Sequence, residues 1–244
     1  MSALSTRALI AGYEPDLPIV RGIDFSVDTG ELVVILGPNG AGKSTLVKAI
    51  AGLVPVHSGS VRLGDRDITY VSAHEKVHQG LAFVPQTENI FTTLTIHENL
   101  LVSANILPKD ARSRRIAELH GMFPDLAARP SLKAGQLSGG QRQMLAVARA
   151  LVIAPSVLIL DEPSAGLSPK VAAEVFRTLK SINDSGVTIV LVEQNVKAAL
   201  AIAHRGVVLV DGKLRHEGAA ATLASDPIVA ELYLGAHAAP AVRA

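Results

Sequence analysis

The stretch that decides the fold is Gly37-Pro38-Asn39-Gly40-Ala41-Gly42-Lys43-Ser44. It fits the phosphate-binding pattern G-x-x-x-x-G-K-[ST] in full, between an apolar run at 32–36 and a helical pattern at 45–53. Glycines let backbone N–H groups turn toward phosphates, and the N-terminus of the helix adds positive potential. We therefore predict that Lys43 reaches the β and γ phosphates of a nucleotide. The Ser44 hydroxyl is predicted to bind Mg²⁺.

A second motif joins an apolar run to two acids, Val157-Leu158-Ile159-Leu160-Asp161-Glu162. A buried strand that ends this way brings both carboxylates to the carboxyl edge of a parallel sheet, where ligands bind. We expect Asp161 to hold Mg²⁺ and Glu162 to polarise the attacking water of an in-line phosphoryl transfer. Taken alone, the motif is equally well explained as an ordinary strand end; with the phosphate loop it becomes a strong signal.

The third motif is Leu137-Ser138-Gly139-Gly140-Gln141, which precedes a helical pattern at 142–152. Ser138 is a suitable N-cap, and the glycines expose backbone N–H groups to an anion. An ordinary capped helix explains the motif as well as an anion site does, and its residues alone do not separate the two.

Short Val-, Ile- and Leu-rich runs alternate with helical patterns, which predicts an α/β fold with a parallel sheet. The predicted strands are 32–36, 81–84, 157–160, 187–192 and 206–210. Asp211-Gly212 after the last of them predicts a hairpin to 213–216, because both central positions of that turn need a positive φ. Two amphipathic helices, 95–106 and 109–122, predict an inserted helical lobe, and the first 30 residues indicate short antiparallel strands.

Composition excludes several classes of protein. The chain has 244 residues, 48% of them apolar and 18% charged, with a formal net charge of +1 and no cysteine. This excludes disorder as the main state, a disulfide scaffold and a Cys nucleophile, and it argues against a nucleic-acid partner. Residues 1–10 lack the pattern of a secretory signal, and the apolar stretch 144–160 contains Arg149 and Pro155. We expect no membrane span, and a soluble or peripheral chain.

The three motifs, in this order and spacing, closely resemble the ATP-binding subunits of ABC transporters. The resemblance covers roughly residues 4–235. It implies a single ATPase domain over 1–235 with ATP and Mg²⁺ as cofactors, a helical lobe inserted at about 87–155, and a frayed tail at 236–244. The implied fold is a P-loop NTPase (RecA-like) core with an N-terminal antiparallel β subdomain and an inserted helical subdomain.

Several site residues follow from the resemblance alone. It extends the phosphate loop to Thr45 and makes 137–141 the signature motif, which contacts the γ-phosphate of ATP held by the other subunit of a head-to-tail dimer. Gln86 matches the glutamine that touches Mg²⁺ and links the core to the lobe. Tyr13 matches the aromatic residue that stacks on adenine. Residues 164–169 resemble the D-loop, which crosses the dimer interface.

One position departs from the family pattern. Most relatives carry a switch histidine after the strand at 187–192, where this chain has Gln194. A glutamine amide can donate a hydrogen bond to the γ-phosphate but carries no titrating proton. We therefore expect Glu162 to be the working carboxylate, with Gln194 as a phosphate sensor.

The same departure indicates a subgroup. Val192-Glu193-Gln194-Asn195, Val84-Pro85-Gln86, Asn89-Ile90-Phe91 and Tyr233-Leu234-Gly235 are similar to LivF-type ATPases of branched-chain amino acid importers. That similarity implies two membrane permeases, a second ATPase or a second copy, and an external solute-binding protein. It implies a peripheral position at the cytoplasmic face of the inner or plasma membrane. Import of urea, amides or other amino acids, a soluble non-transport ABC ATPase, and a small-molecule kinase are the alternatives.

Three further patterns have ordinary explanations. His74-Glu75-Lys76-Val77-His78 matches the H-E-x-x-H zinc pattern but lacks a third ligand of recognisable spacing, so we expect a polar surface helix. Arg112, Arg114 and Arg115 predict a solvated helix face, and 65–67 a polar turn. The apolar residues within 87–99 are compatible both with a groove for a membrane subunit and with the core of the lobe.

Overall fold

The structure, a computed structural model, describes residues 1–226. Its strands are β1 (Ser2–Ala11), β2 (Val20–Asp28), β3 (Leu32–Leu36), β4 (Val56–Leu63), β5 (Arg66–Asp67), β6 (Leu81–Val84), β7 (Val157–Asp161), β8 (Thr188–Val192), β9 (Arg205–Val210) and β10 (Lys213–Ala219). Its α-helices are α1 (Lys43–Ala51), α2 (Ala73–His78), α3 (Ile96–Ala104), α4 (Lys109–Met122), α5 (Pro124–Ala127), α6 (Gly139–Leu151), α7 (Pro169–Asp184), α8 (Val196–Leu200) and α9 (Ala220–Leu223). The predicted tail at 236–244 and the motif at 233–235 lie outside the described residues.

A six-stranded sheet in the order β10-β9-β3-β8-β7-β6 forms the centre of the fold. Its strands are parallel except for β10, which pairs antiparallel with β9. All five strands predicted for the parallel sheet are present. The predicted hairpin is also confirmed, since Asp211 and Gly212 both have positive φ, at 50° and 74°. The continuous apolar runs fit strands that are covered on both faces.

Both faces of this sheet are packed. Along β3, Leu32, Val34 and Leu36 contact one hydrophobic cluster, and Val33 and Ile35 contact the other. Helices α3, α6 and α7 contribute to the first cluster, whereas α1 and the N-terminal strands contribute to the second. The sheet is therefore the middle layer, and its carboxyl edge is fixed in position from both sides.

The N-terminal strands form a second, antiparallel sheet in the order β2-β1-β4-β5. The sequence predicts antiparallel strands in the first 30 residues but does not predict β4. Its sequence, VHSGSVRL, is largely polar and half-exposed, so it carries no apolar run to mark it. The expected polar turn at 65–67 is partly wrong, because Arg66 and Asp67 pair with Leu63 and Arg62 as a short strand.

Helices α3 to α6 follow one another between β6 and β7. The predicted starts at 95 and 109 agree with the structure, in which Thr95 caps α3 through a capping box with Glu98. Within residues 1–226, no helix combines the length and the apolar character that a bilayer span requires.

The predicted solvated face of α4 is correct for Arg114 and wrong for its two neighbours. The Arg114 side chain is 79% exposed. Arg115 instead donates to the main-chain oxygen of Val152 at 3.1 Å and also to that of Leu151. Arg112 donates to the main-chain oxygen of Leu107 at 3.0 Å. Arg115 thus contacts carbonyl groups at the C-terminal end of α6, and Arg112 contacts one in the segment between α3 and α4, so neither guanidinium group is left to water alone.

Candidate active site

The phosphate loop joins β3 to α1 in a conformation that requires glycine. Gly37 has φ 153°, and a Cβ there would lie 2.2 Å from the Leu209 main-chain oxygen. Gly42, at φ 96°, is the N-cap of α1. A residue distant in the sequence stabilises the loop, because Gly212 N–H donates to the main-chain oxygen of Ala41 at 3.0 Å. The backbone is thus held open toward the sheet edge.

Lys43 is buried at the first position of α1. Its Nζ donates to the main-chain oxygens of Gly37 at 2.7 Å and Pro38 at 3.0 Å. Burial lowers the pKa of Lys43, while the nearby carboxylates of Glu162 and Asp161 act in the opposite direction. The ammonium group therefore lies inside the loop, as the motif predicts, with weak neutral partners that a phosphate could replace.

Two of the three predicted magnesium ligands, Ser44 on α1 and Asp161 on β7, are in contact. The Ser44 hydroxyl donates to Asp161 Oδ1 at 2.9 Å. Burial raises the pKa of Asp161, and the Ser44 hydrogen bond acts against this. No group of three or more His, Cys, Asp or Glu side chains suited to a metal occurs within residues 1–226. A hydroxyl and one carboxylate still fit Mg²⁺, which usually takes its other ligands from water and substrate phosphates.

Glu162 is the meeting point of two amide side chains. Gln194 Nε2 lies 2.7 and 2.8 Å from its two carboxylate oxygens, and Gln86 Nε2 donates to Oε2 at 3.1 Å. The backbone of Glu162 has φ 49°, an unfavourable region for a residue with a Cβ. Strain of this kind often occurs at functional sites. The structure thus brings together Gln86, Glu162 and Gln194, three residues that the sequence predicts separately.

The signature segment begins α6 with a complete capping box. Gln141 N–H donates to Ser138 Oγ at 3.3 Å, and Ser138 N–H donates to the Gln141 side-chain oxygen at 3.1 Å. A Cβ on Gly140 would lie 2.3 Å from Val171 Cγ1, and one on Gly139 would lie 2.9 Å from Leu167 Cδ2. The predicted cap is confirmed. Close packing against Val171 and Leu167 explains why both positions are glycine. The anion-binding role of the segment stays a prediction.

Tyr13 follows β1 and is 59% exposed. A cavity of about 550 Å³ lies between the phosphate loop and the segment that follows Tyr13 in the sequence. Its lining includes Ile19, Gly40 and Gly212. The exposed ring is available for the predicted stacking on adenine.

Glu193 is a site residue for which the sequence analysis assigned no role. It directly follows β8, as Glu162 directly follows β7, and it is 2% exposed. Its carboxylate accepts from Ser164 N–H and Oγ, both at 2.9 Å, and from Gln194 N–H at 3.1 Å. Burial raises the pKa of Glu193, and these hydrogen bonds oppose the effect. The available signal was the one used for Asp161, an acid at the end of a buried apolar run.

A second unpredicted group joins the segment after Gln86 to helix α6. Arg149 on α6 donates to the main-chain oxygen of Asn89, and its guanidinium lies 4.5 Å from the centre of the Phe91 ring. Asn89 Nδ2 donates to Gln143 Oε1 at 3.2 Å. Of the apolar residues in this segment, Ile96 is fully buried in the hydrophobic cluster that also covers one face of the central sheet, whereas Phe91 is 46% exposed.

The H-E-x-x-H segment forms the predicted surface helix, α2. Glu75 is engaged in the capping box, since the Ser72 hydroxyl donates to its carboxylate at 2.7 Å. The Nε2 atoms of His74 and His78 lie 3.3 Å apart. These two rings do not belong to any group of three potential metal ligands among residues 1–226.

Comparisons with known proteins identify the family of this chain. The family model described as ABC transporter matches residues 20–165. The LivF protein of Archaeoglobus fulgidus, named as a probable branched-chain amino acid transport ATP-binding protein, is 44% identical and covers 95% of this chain and 98% of its own. BraG of Pseudomonas aeruginosa, named for high-affinity transport of the same amino acids, is 35% identical over 93% and 97%. LptB of Escherichia coli, named for lipopolysaccharide export, is 33% identical over 96% and 98%.

Solved structures agree as well. MJ1267, an ATP-binding cassette of an ABC transporter in its ADP conformation, superposes with a TM-score of 0.87 at 28% identity, covering 96% of this chain and 99% of its own. The cassette MJ0796, dimeric and bound to ADP and Pi, gives 0.77 at 26% identity over 89% and 98%. Phosphate loop, acidic strand end and signature segment thus occur in this chain on the fold of such cassettes. The chain belongs to the ABC transporter family, as an ATPase whose hydrolysis of ATP is coupled to transport.

Proposed function

We propose that the chain holds Mg-ATP at the carboxyl edge of its central sheet. The residues 37–45 wrap the phosphates, Lys43 moves from its loop carbonyls to the β and γ phosphates, and Tyr13 stacks on adenine. Ser44, Asp161 and Gln86 would hold the magnesium ion, which neutralises phosphate charge. The 2.9 Å contact between Ser44 and Asp161 supports this assignment, because both oxygens are ligands that Mg²⁺ prefers.

Glu162 is the proposed carboxylate that orients the attacking water. Its two amide donors hold the carboxylate in one direction, and its oxygens have further lone pairs that can accept hydrogen bonds from water. The Gln194 amide carries two N–H donors, so one can stay on Glu162 while the other reaches the γ-phosphate. In-line phosphoryl transfer needs positioning more than covalent chemistry, which suits such a rigid arrangement.

The proposed role is to energise import of branched-chain amino acids. The 44% identity to LivF, over nearly the full length of both chains, carries this proposal. The chain would act as one ATPase domain over 1–235, at the cytoplasmic face of the inner membrane, beside two permeases. A second ATPase or a second copy would complete the dimer, with 137–141 facing the partner's ATP. A solute-binding protein would deliver the amino acid. Export of lipopolysaccharide is the second candidate, because LptB also matches over 96% of the chain.

Affinity purification from native membranes in mild detergent, followed by mass spectrometry, tests the role. Two permeases and an amino-acid-binding protein would support the importer, and the ligand of that binding protein would identify the solute. Partners of a lipopolysaccharide exporter would contradict it. The Lys43→Ala variant serves as a matched control for the site, since it should lose ATP turnover while keeping the same partners.

A further inference from the structure

The carboxylate of Glu193, which has no assigned role, lies beside the pair formed by Glu162 and Gln194. It is buried immediately after β8, and four donors surround it. Ser164 supplies its N–H and its hydroxyl, both at 2.9 Å, and the N–H groups of Gln194 and Asn195 lie at 3.1 and 3.4 Å. Each partner donates, so an acceptor-only carboxylate satisfies them all.

These contacts close a ring around Glu162. Ser164 follows Glu162 by two residues, and Gln194 follows Glu193 directly. The Gln194 side chain then returns to the Glu162 carboxylate at 2.7 Å. The Glu193 side chain therefore joins the two loops that leave β7 and β8 and sets the distance between them. It lies in the lining of an open cleft of about 450 Å³ that also contains Gln86, Glu162 and Gln194.

We propose that Glu193 is a positioning residue, which holds the Gln194 amide against the Glu162 carboxylate by fixing Ser164 and the backbone of Gln194. The inference rests on the proposed role of Glu162 in water activation. Glu193 acts on turnover through Gln194 and does not itself contact the reacting atoms. A displacement of the pair by about 1 Å would suffice to slow the reaction by about 100-fold.

Replacement of Glu193 by glutamine removes the negative charge and one hydrogen-bond acceptor while keeping the size of the side chain. An amide has one acceptor oxygen, and its NH₂ group would face Ser164 N–H in one orientation and the N–H groups of Gln194 and Asn195 in the other. We expect Glu193→Gln to lower the rate of ATP cleavage by about 100-fold. The dissociation constant for ATP should change by less than about three-fold, because the phosphate loop is untouched. The assay is single-turnover phosphate release by the full-length chain in excess over ATP, which follows slow variants.

The background variant Gln194→Ala separates positioning from general stability. If Glu193 acts through Gln194, Glu193→Gln should cost less than about three-fold when Gln194 is already alanine. An equal loss in both backgrounds would overturn the proposal. Two substitutions of Ser164 give a second test. Ser164→Ala should slow ATP cleavage by about ten-fold, whereas Ser164→Thr, which keeps the hydroxyl, should cleave ATP at nearly the original rate. Equal rates for these two variants would also overturn it.

The Glu162→Gln variant distinguishes failure of this inference from failure of the proposed function. If Glu162→Gln retains most turnover, the role of Glu162 is wrong and the positioning of Gln194 loses its purpose. If Glu162→Gln abolishes turnover while the Glu193 and Gln194 effects are additive, only the positioning role fails.

Discussion

Replacement of Gly140 by alanine separates the two explanations of the signature glycines. The added Cβ would lie 2.3 Å from Val171 Cγ1, far inside van der Waals contact. Val171 is β-branched and therefore stiff at χ1, so the clash must move α6 relative to α7. Overpacking of this kind costs about 1–3 kcal/mol of unfolding free energy. Alanine stabilises a helix by about 1 kcal/mol relative to glycine, so we expect the free energy of unfolding to fall by about 0–2 kcal/mol.

The Val171→Ala variant supplies the compensating change. It removes Cγ1, and the next nearest atom to the new Cβ is then Val171 Cβ at 3.8 Å, an ordinary contact. We expect the double variant to show a favourable coupling of about 1–2 kcal/mol in urea unfolding. A coupling near zero would refute the steric reasoning.

ATP turnover of the same variants then decides the role of the glycine. If Gly140 serves packing alone, turnover should recover with stability in the double variant. If its N–H contacts the γ-phosphate across a dimer, as the family resemblance implies, turnover should stay low in the double variant although stability recovers, because the added methyl group lies beside that N–H. Val171→Ala alone is the control, and it should leave turnover near that of the unmodified chain.

Three further predictions concern other parts of the chain. Glu162→Gln should lower ATP turnover by about 100-fold or more, the usual contribution of such a carboxylate, with ATP binding retained in a fluorescent-nucleotide titration. Burial lowers the pKa of Lys76 from 10.5 to about 8, so between these pH values Lys76 binds a proton in the unfolded chain more often than in the folded chain. The free energy of unfolding should therefore rise between pH 8 and 10.5, by at most about 1.4 kcal/mol per pH unit. It should rise less in the Lys76→Met variant. Arg115→Ala should cost about 1–3 kcal/mol in thermal or urea unfolding, since the part-buried main-chain oxygen of Val152 loses its Arg115 donor, whereas Arg114→Ala should stay within about 0.5 kcal/mol.

The parallel strands were predictable because each is a continuous apolar run with covered faces. Strand β4 was not, because its polar residues face water and its pairing with β1 involves residues about fifty positions away. Local patterns detect burial on both faces, and they detect a half-exposed strand poorly. The capping residue Ser138 was predictable for the opposite reason, since its partner Gln141 lies three residues away.

The individual site residues could be predicted from motifs, but their contacts could not. The sequence places Ser44 and Asp161 in separate motifs, and the structure joins them by one hydrogen bond. Nothing local indicates that the Gln194 amide lies on Glu162, or that Arg115 donates to carbonyl groups at the end of α6. These contacts depend on how the layers pack, which is a property of the whole chain.

The position of β3 has a consequence for synthesis of the protein. This strand carries the phosphate loop, yet its neighbours in the sheet are β8 and β9, which the ribosome makes about 150 residues later. The brace from Gly212 to Ala41 arrives later still. A nascent chain that lacks these strands holds the full phosphate-binding sequence without the support that shapes it. ATP can therefore find a finished site only after β8, β9 and Gly212 have been made, and affinity for nucleotide reports that synthesis has passed residue 212.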